Sequence, residues 1–480
     1  MSLGTLIEEH PSDATAVIDG EQTLTYGQLR ERVGAMRAHL VASGVGPGDH
    51  VVVLCGNETH FITASLGALG VGAVVAPVNP FSPRAEIERK LPSLRAAVAI
   101  VGESSPSVEG MDSIAGVPVL DMADVATVAD DAPGPVDVDP ASPAFLLSTS
   151  GVSGVPKVAV LSHHSLASIQ EAICGDGPQS VRNDDIVLAA LPLAHVLGLN
   201  IVLLSSLRAG AVVVFQRRFD ADGALDLMER HGVTLLTGAP PMWKRWADTE
   251  RDTDAFARIR FARSGAASLP NDVHERLVER FGLDVRQGYG LTETSSAVTT
   301  GRNLDPPRGS VGKPLPGIEF VLVDETGEPV DQGDVGEIVV RGPGVFLGYL
   351  DDDEATNAIL APDGWLWTGD VGLFDDDGYL HLIDRVKDII IVSGFNVYPA
   401  EVENILMQHP DVRGAVVVGN DHAETGETVV AHVSGDVDEE ELRAFARTQL
   451  GGYKVPTIFH FVDDLPVAPT GKAIRRELRS

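Results

Sequence analysis

The sequence predicts an α/β protein with a large N-terminal domain of parallel-rich sheets covered by helices, a β-rich subdomain, and a small α+β C-terminal domain. In the first half, Val-rich apolar runs such as Val51–Leu54 and Ala97–Val101 alternate with amphipathic helical patterns. Strands of this composition that are bounded by helices are typical of parallel sheets buried on both faces. The length of 480 residues exceeds what one hydrophobic core usually supports, so we expect at least two domains.

The elements of the N-terminal half are marked by their end signals. Thr25–Gln28 has the form of a capping box, and apolar residues then recur at helical spacing over Leu29–Leu40. A second helical pattern covers Asp220–Arg230. The buried strands expected in this half are Val51–Leu54, Ala73–Val75, Ala97–Val101, Ala144–Leu147, Ile186–Leu188, Ala211–Val214 and Thr234–Leu236.

The pattern changes in the last third of the chain. Gly336–Arg341 and the segments on either side of Asp376–Gly378 are typical of strands joined by tight turns. A compact segment begins at Asp388 and includes a helix that starts at Pro399, a residue suited to the first turn of a helix. The other elements expected there are strands at Ala415–Val418, Thr428–Val433 and Ile458–Val462 and a helix from Asp438. We therefore expect two domains, at residues 1–384 and 385–480.

The composition limits the classes of partner. A formal net charge of -33 disfavours nucleic acid, whose phosphates would be repelled, although a local cationic pocket can still bind ATP. No apolar run is long enough to span a bilayer, so we expect no integral membrane segment, and the N-terminus lacks a signal segment. Cys55 and Cys174 are too few for a disulfide framework, which favours a cytoplasmic location. The oligomeric state stays open, with a homodimer among the options.

The most informative segment is Ser148–Lys157, in which small hydroxyl residues and glycines are closed by a lysine. Such a loop offers backbone N–H groups, hydroxyl donors and a cation to an anion, which is how proteins hold polyphosphate. It differs from the common Gly-x-x-x-x-Gly-Lys-Ser/Thr signature because Pro156 precedes the lysine. A flexible linker is the alternative, although linkers rarely continue into Pro-Lys and an apolar run.

Further glycine- and hydroxyl-rich segments accumulate along the chain. Ser264–Ala267 ends a predicted strand, where open α/β sheets bind ligands. Gln287–Thr294 supplies an aromatic ring, a hydroxyl and a carboxylate. Trp367–Asp370 offers a carboxylate beside a glycine, and Pro469–Lys472 places a lysine after a Thr-Gly turn. Each segment alone is weak evidence, but their order along the chain is informative.

Together these segments resemble the AMP-forming adenylating superfamily, which includes acyl- and aryl-CoA synthetases, adenylation domains of peptide synthetases and firefly-type luciferases. Ser148–Lys157 is similar to the family's Thr-Ser-Gly-Thr-Thr-Gly-x-Pro-Lys loop. Tyr289–Glu293 is similar to its Tyr-Gly-x-Thr-Glu motif, and Thr368–Asp370 to its Thr-Gly-Asp. Asp384–Asp388 resembles its hinge segment, and Lys472 falls at its catalytic lysine. The resemblance covers nearly the whole chain.

The resemblance implies that a carboxylate attacks the α-phosphate of ATP, giving an acyl adenylate and pyrophosphate. Negative charge develops at the α-phosphorus, so catalysis is electrostatic and positional. Lys472 would bridge the carboxylate and the α-phosphate, Thr292 would contact the α-phosphate, and Glu293 would hold Mg²⁺, which prefers oxygen ligands. The other residues assigned to ATP are Thr149, Ser150, Gly151, Ser153, Gly154 and Lys157 at the β- and γ-phosphates, Tyr289 along the adenine, Asp370 at the ribose with Arg385 nearby, and Gly265, Ala266, Gly288 and Gly290 elsewhere in the site.

The resemblance also implies a second step, in which the mobile small domain turns about a hinge at Lys387 and the acyl group passes to the thiol of coenzyme A. The segment from Ser393 to Pro399 is similar to the Gly-x-Asn-Val-Tyr-Pro segment of acyl-CoA ligases. Ser393, Gly394 and Phe395 would bind coenzyme A. The alternative is that this segment only turns into the helix at Pro399.

His195 matches a family position at the acyl pocket, where it would order the carboxylate or gate the tunnel. A hydrogen-bonded core histidine is the alternative. Three residues depart from the family pattern. Val152 stands in place of Thr and removes a hydroxyl from the phosphate loop, Val158 stands in place of Gly, and Ala194 replaces an aromatic residue, which would widen the acyl pocket.

We therefore predict an ATP-dependent ligase that joins a fatty, medium-chain or aryl acid to coenzyme A with Mg²⁺ as cofactor. Two alternatives stay open: an adenylating enzyme that loads a carrier-protein thiol, and a catalytically impaired nucleotide-binding relative. Pocket-lining residues are expected in Pro192–Leu204, Pro240–Trp246 and Gly265–Val298. No basic residue stands out there as a partner for a second substrate carboxylate, which favours monocarboxylic acids.

Overall fold

A computed structural model describes residues 2–125, 129, 131–149, 157–385, 388–392, 395–422, 425–466, 475 and 478. The chain forms two compact units. The larger unit comprises Met1–Glu319 and Arg341–Leu366, and the smaller unit comprises Phe320–Val340 and Trp367–Ser480.

The secondary structure follows the alternation that the sequence predicts. In chain order the strands are β1 (Thr15–Asp19), β2 (Gln22–Thr25), β3 (His50–Leu54), β4 (Val74–Pro77), β5 (Ala96–Val101), β6 (Ser113–Ile114), β7 (Val117–Asp121), β8 (Pro143–Thr149), β9 (Lys157–Ser162), β10 (Ile186–Ala189), β11 (Val212–Phe215), β12 (Leu235–Gly238), β13 (Phe261–Ser264), β14 (Val285–Gln287), β15 (Thr299–Thr300), β16 (Lys313–Pro314), β17 (Glu319–Val323), β18 (Gly336–Arg341), β19 (Gly348–Tyr349), β20 (Leu366–Phe374), β21 (Leu380–Arg385), β22 (Ile390–Val392), β23 (Phe395–Val397), β24 (Val412–His422), β25 (Gly426–Gly435) and β26 (Ile458–Phe461). The α-helices are α1 (Tyr26–Ala42), α2 (Thr59–Gly70), α3 (Arg84–Leu94), α4 (His163–Cys174), α5 (Ser205–Ala209), α6 (Ala221–His231), α7 (Pro240–Ala247), α8 (Asn271–Phe281), α9 (Asp353–Asn357), α10 (Pro399–Leu406) and α11 (Glu439–Gln449). Short 3₁₀ turns cover Leu3–Thr5, Met122–Asp124 and Thr292–Thr294, and a π-helix covers Leu197–Leu204.

Two large sheets form the larger unit. One has the strand order β14-β13-β12-β10-β11-β1-β2, and only its edge strand β2 runs antiparallel to its neighbour. The other has the order β19-β9-β8-β4-β3-β5-β7-β6, with parallel pairing from β8 to β7 and antiparallel pairing at both edges. The run Val51–Leu54 on β3 is 0% exposed, as expected for a strand covered on both faces. The predicted parallel-rich architecture is confirmed.

The predicted capping box forms as expected, and helix α6 also begins with a side-chain cap. The Thr25 hydroxyl accepts the Gln28 backbone N–H, and the Gln28 side chain accepts the Thr25 N–H, so α1 begins with a complete capping box. Asp220 caps α6 by accepting the Gly223 N–H at 2.7 Å. The residues of the capping box lie close together in the chain, which explains why the sequence alone predicts it.

The smaller unit contains two further sheets. Strands β17-β18-β20-β21 form one, and β23-β22-β25-β24 with β26 on β25 form the other. Helices α10 and α11 bury Val402 and Leu442 in a core with Ile390 and Val417. This is the predicted α+β segment after Asp388. The smaller unit also includes the strands within residues 320–340 and 367–384. The domain boundary that the sequence predicts between residues 384 and 385 stays a prediction.

Candidate active site

The predicted phosphate loop joins two paired strands. Strand β8 ends at Thr149 and β9 begins at Lys157, and the two residues are direct antiparallel partners. The Thr149 hydroxyl donates to the Lys157 carbonyl at 3.4 Å. The ends of the loop are therefore held together by the sheet. Ser150, Gly151, Val152, Ser153 and Gly154 lie outside the described residues.

Tyr349 links the end of this loop to the second predicted motif. Strand β19 pairs with β9, with Tyr349 opposite Ala159. The Lys157 ammonium lies 4.9 Å from the centroid of the Tyr349 ring, and the Tyr349 hydroxyl donates to Glu293 Oε1 at 2.6 Å. Burial, together with the Glu293 carboxylate, raises the pKa of Tyr349, so the phenol keeps its proton and remains a donor. One half-buried ring thus contacts both the cation and the carboxylate of the candidate site.

Glu293 is presented on a tight turn. It lies in the 3₁₀ turn Thr292–Thr294, and its backbone carbonyl accepts the Phe346 N–H at 2.9 Å. Gly290, just before the turn, must be glycine, because a Cβ there would lie 2.1 Å from the Ser296 carbonyl oxygen. The backbone of this segment is therefore fixed on both sides of the carboxylate.

The adenine-site candidates lie at the carboxyl ends of two neighbouring parallel strands, β13 and β14. The Gly265 N–H donates to Gly238 O at 3.2 Å, and the Gly288 N–H donates to Ser264 O at 3.3 Å. Tyr289 is 8% exposed. Ala266 has a φ of +71°, a conformation that costs a non-glycine residue free energy and is concentrated at functional sites. Open α/β sheets bind ligands at this edge.

His195 lies on the protein surface before the π-helix. Its backbone N–H donates to Pro192 O at 3.2 Å, and its carbonyl accepts the Leu199 N–H at 2.9 Å. The residue is exposed, and within the described chain its imidazole has no hydrogen-bond partner. Burial of part of the ring nevertheless lowers the pKa of His195, so both its role at the acyl pocket and the alternative of a core histidine stay predictions.

In the smaller unit, the backbone of Asp370 is positioned by Thr368, a residue of the same Thr-Gly-Asp motif. The Thr368 hydroxyl donates to Ile338 O at 2.7 Å and accepts the Asp370 N–H at 3.1 Å. Asp370 is 7% exposed and is the cross-strand partner of Arg385. Burial, with a further contribution from the Asp370 charge, raises the pKa of the neighbouring Glu337. Asp370 and Arg385 are therefore backbone neighbours across two strands, and their role at the ribose stays a prediction.

Arg475 forms a buried ion-pair cluster that the sequence analysis missed. Its guanidinium contacts Glu403 at 2.8 Å, Asp388 at 3.2 Å and Asp384 at 3.4 Å. Glu403 also accepts the Val417 N–H at 2.8 Å. Attraction to these carboxylates raises the pKa of Arg475 despite its burial. No local sequence signal predicts this cluster, because its members are far apart in the chain.

Several predicted residues cannot be placed. Lys387, Ser393, Gly394 and Lys472 lie outside the described residues, and Phe395 begins β23. Among the residues that the structure describes, no group of three or more His, Cys, Asp or Glu side chains could hold a metal ion. Within the same residues, no helix has the length and apolar character needed to cross a membrane.

Family models match both parts of the chain. The model of the AMP-binding enzyme family covers residues 5–350, and that of the AMP-binding enzyme C-terminal domain covers residues 401–472. The chain belongs to the AMP-binding enzyme family.

Individual relatives agree with this assignment. Feruloyl-CoA synthase of Amycolatopsis sp is 36% identical over 97% of this chain and 95% of its own length. 4-Coumarate–CoA ligase 3 of Oryza sativa subsp. japonica is 34% identical over 97% of this chain and 88% of its own length. Among solved structures, ATP-bound MatB from Rhodopseudomonas palustris superposes with a TM-score of 0.91 at 31% identity, covering 100% of this chain and 98% of that one.

Proposed function

We propose that this protein activates a carboxylic acid with ATP and then transfers the acyl group to coenzyme A. The observation that carries the proposal is the contact of Tyr349 with both Lys157 and Glu293, which joins two motifs that are far apart in the sequence. Family membership and the CoA-ligase names of the relatives support the same reaction. The acid is a small molecule of the fatty, medium-chain or aryl class.

The residues at this site fit a Mg²⁺-bound triphosphate. Lys157 supplies a cation and Thr149 a hydroxyl at the two ends of the loop, while Glu293 offers a hard carboxylate oxygen of the kind that Mg²⁺ prefers. We assign the β- and γ-phosphates to these loop ends and to Ser150, Gly151, Ser153 and Gly154. The bound ion would supply positive charge that stabilises the phosphates.

The nucleoside would occupy the strand ends. We assign the adenine side of the site to Gly265, Ala266, Gly288, Tyr289 and Gly290, whose backbones lie at the carboxyl ends of β13 and β14. Asp370 would accept the ribose hydroxyls, with Arg385 as its strand partner.

The chemistry requires charge stabilisation rather than an acid–base group. A carboxylate oxygen of the substrate attacks the α-phosphorus, and the bond from that phosphorus to the bridging oxygen breaks, releasing pyrophosphate. Lys472 and Thr292 would offset the charge that develops on the α-phosphate oxygens, and His195 would orient the attacking carboxylate. The thiol of coenzyme A then attacks the acyl carbonyl, loses its proton and displaces AMP.

We further propose that residues 385–480 move about Lys387 between the two steps, and that Ser393, Gly394 and Phe395 then bind coenzyme A. A cytoplasmic location and the absence of nucleic-acid binding remain part of this proposal, and the oligomeric state, with a homodimer among the options, stays open. Loading of a carrier-protein thiol is the competing function. A thioester assay in which carrier protein replaces coenzyme A separates the two functions.

ATP–pyrophosphate exchange tests the adenylation step. With a panel of acids, the wild type should exchange label only in the presence of its acid. Lys472→Ala should abolish exchange while ATP still binds. Lys454→Ala is the matched control, because Lys454 is paired with Glu401 at 2.7 Å, and it should keep near wild-type exchange. Absence of exchange with every acid would favour the impaired-relative alternative, and full exchange by Lys472→Ala would refute the role of that lysine.

A further inference from the structure

Arg263 is a buried cation that has no counter-charge among the described residues. It lies on β13, two residues before Gly265, and is 9% exposed. Within the described residues its guanidinium has no hydrogen bond and no ion pair, and its Nε is a buried donor that lacks an acceptor. The contact that the side chain does make is with the Phe261 ring, whose centroid lies 5.2 Å from Cζ. Such a charge is costly to bury unless a partner offsets it.

The neighbouring Arg302 is a buried guanidinium whose donors do have hydrogen-bond acceptors. It is also 9% exposed, but it donates to Ile173 O at 2.6 Å and to the Ser180 hydroxyl at 2.7 Å. Arg302 also donates to Ala172 O, and its bonds to Ala172 and Ile173 satisfy carbonyls at the negative end of the α4 dipole. Arg302 is therefore a structural cap of α4, whereas Arg263 has no equivalent role.

The ionisable groups around Arg263 do not neutralise it. Burial and the positive charge of Arg302 lower the pKa of Arg263 to about 10, which still leaves it charged at neutral pH. Burial raises the pKa of the Cys174 thiol to about 11, so this group is neutral. The nearby Arg208 is a further cation, and it already pairs with Glu171 at 2.7 Å. Among the residues that the structure describes, none neutralises Arg263, so a ligand anion would supply the missing counter-charge.

The position of Arg263 points to the acid rather than to the nucleotide. A Cβ added to Gly265 would lie 3.1 Å from the Leu197 side chain, so the π-helix Leu197–Leu204 packs against the end of β13. This helix is part of the segment expected to line the acid pocket, and π-helices are frequent at functional sites. The Cys174 thiol, on the same side as Arg263, donates to Ser205 O at 3.3 Å, directly after the π-helix. The triphosphate has Lys157 as its own cation.

We propose that Arg263 binds a second carboxylate at the far end of the substrate, so that the acid activated here is a dicarboxylic acid. The inference rests on the proposed acid–CoA ligase function and replaces the monocarboxylic acid that the sequence favours. A guanidinium presents donors in a planar fork that matches a carboxylate in two parallel hydrogen bonds. A neutral acceptor at the far end of the acid would leave the buried charge uncompensated.

The test is ATP–pyrophosphate exchange with acids matched in skeleton but not in charge: hexanedioate against hexanoate, and terephthalate against 4-methylbenzoate. In whichever of the two pairs has a skeleton that the enzyme accepts, we expect the wild type to prefer the diacid over the monoacid on the order of 100-fold in kcat/KM. A loss of this size is typical of a buried charge pair from which one partner has been removed. Arg263→Met should invert this preference, and Arg263→Lys should keep part of it. Without ligand, Arg263→Met should also raise the Tm, because an uncompensated buried charge has been removed.

Arg302→Met is the matched control, because it removes a guanidinium of equal exposure from the same region. Arg302→Met should lower the Tm and leave the ratio of kcat/KM for the diacid to kcat/KM for the monoacid unchanged. That ratio does not depend on the fraction of enzyme that is folded. A wild type that prefers the monoacids, or an unchanged ratio in Arg263→Met, would overturn the inference. An equal rise in the KM for ATP with both acids would also overturn it, by assigning Arg263 to the nucleotide. Absence of exchange with any acid would instead refute the proposed function itself.

Discussion

Replacing Tyr349 with Phe should weaken Mg²⁺ binding selectively, because the phenol hydroxyl tethers the Glu293 carboxylate at 2.6 Å. Phe keeps the ring under the Lys157 ammonium and removes only that hydrogen bond. A hydrogen bond to a charged group contributes about 1.5–3 kcal/mol, which corresponds to a rise of roughly 10- to 100-fold in the Mg²⁺ concentration needed for half-maximal activity. The KM for ATP at saturating Mg²⁺ should change little.

Tyr349→Ala completes the test, because it also removes the ring that the Lys157 ammonium contacts. Loss of this contact removes a constraint on the position of the ammonium, which weakens the site for phosphate. The cation–π contact adds about 0.5–2 kcal/mol, so the KM for ATP should rise roughly 2- to 30-fold beyond that of Tyr349→Phe.

The assay is initial-rate pyrophosphate release over a Mg²⁺ titration at fixed free ATP, with the KM for the acid measured in parallel. A Mg²⁺ titration of Tyr349→Phe that superimposes on the wild type would refute the reasoning. A change confined to the KM for the acid would refute it as well, because that result would place Tyr349 at the acyl pocket.

Three further predictions concern stability and the phosphate loop. Arg475→Met should destabilise the protein by about 3–5 kcal/mol in denaturant unfolding, because it removes the guanidinium that offsets the buried Glu403 carboxylate. Glu403→Gln should cost less, and equal, small effects of the two variants would contradict this. Burial lowers the pKa of His163 to about 4, below its unfolded value near 6.5. Between pH 4 and 6.5 the unfolded state therefore binds the proton more readily than the folded state. The free energy of unfolding should be highest above pH 6.5 and should decline by up to about 1.4 kcal/mol per pH unit as the pH falls towards 4. His163→Gln should flatten this part of the curve of unfolding free energy against pH. Val152→Thr restores one hydroxyl and should lower the KM for ATP by roughly 2- to 10-fold in steady-state kinetics, an effect of one neutral hydrogen bond of about 0.5–1.5 kcal/mol; an unchanged KM would show that the hydroxyl does not reach the nucleotide.

Local signals predicted the elements well. The capping box at Thr25 and the helix starts at Pro399 and Asp438 depend on residues within one turn of each other, and all three are present in the structure. The apolar run at Val51–Leu54 predicted a strand buried on both faces, which the central position of β3 confirms.

The candidate site was predictable only in part. Thr149, Lys157 and Glu293 belong to contiguous motifs whose composition indicates phosphate chemistry. Tyr349 carries no such signal, since it becomes part of the site only because the two-residue strand β19 pairs with β9. Arg263 was overlooked for a related reason: an arginine in a strand looks like a solvated charge until its burial is known.

The sequence by itself therefore determined the family, the alternation of strands and helices, and the residue types of the proposed phosphate site. These properties depend on short segments of the chain, because periodicity, capping and composition involve only a few neighbouring residues. Only the tertiary structure decided which charges meet. Tyr349 contacts both Lys157 and Glu293, Arg475 pairs with three carboxylates, and the Arg263 guanidinium has no ion pair among the described residues. Electrostatic and hydrogen-bond energies depend on distances of a few ångströms and on burial, and sheet pairing sets both between residues that are far apart in the chain.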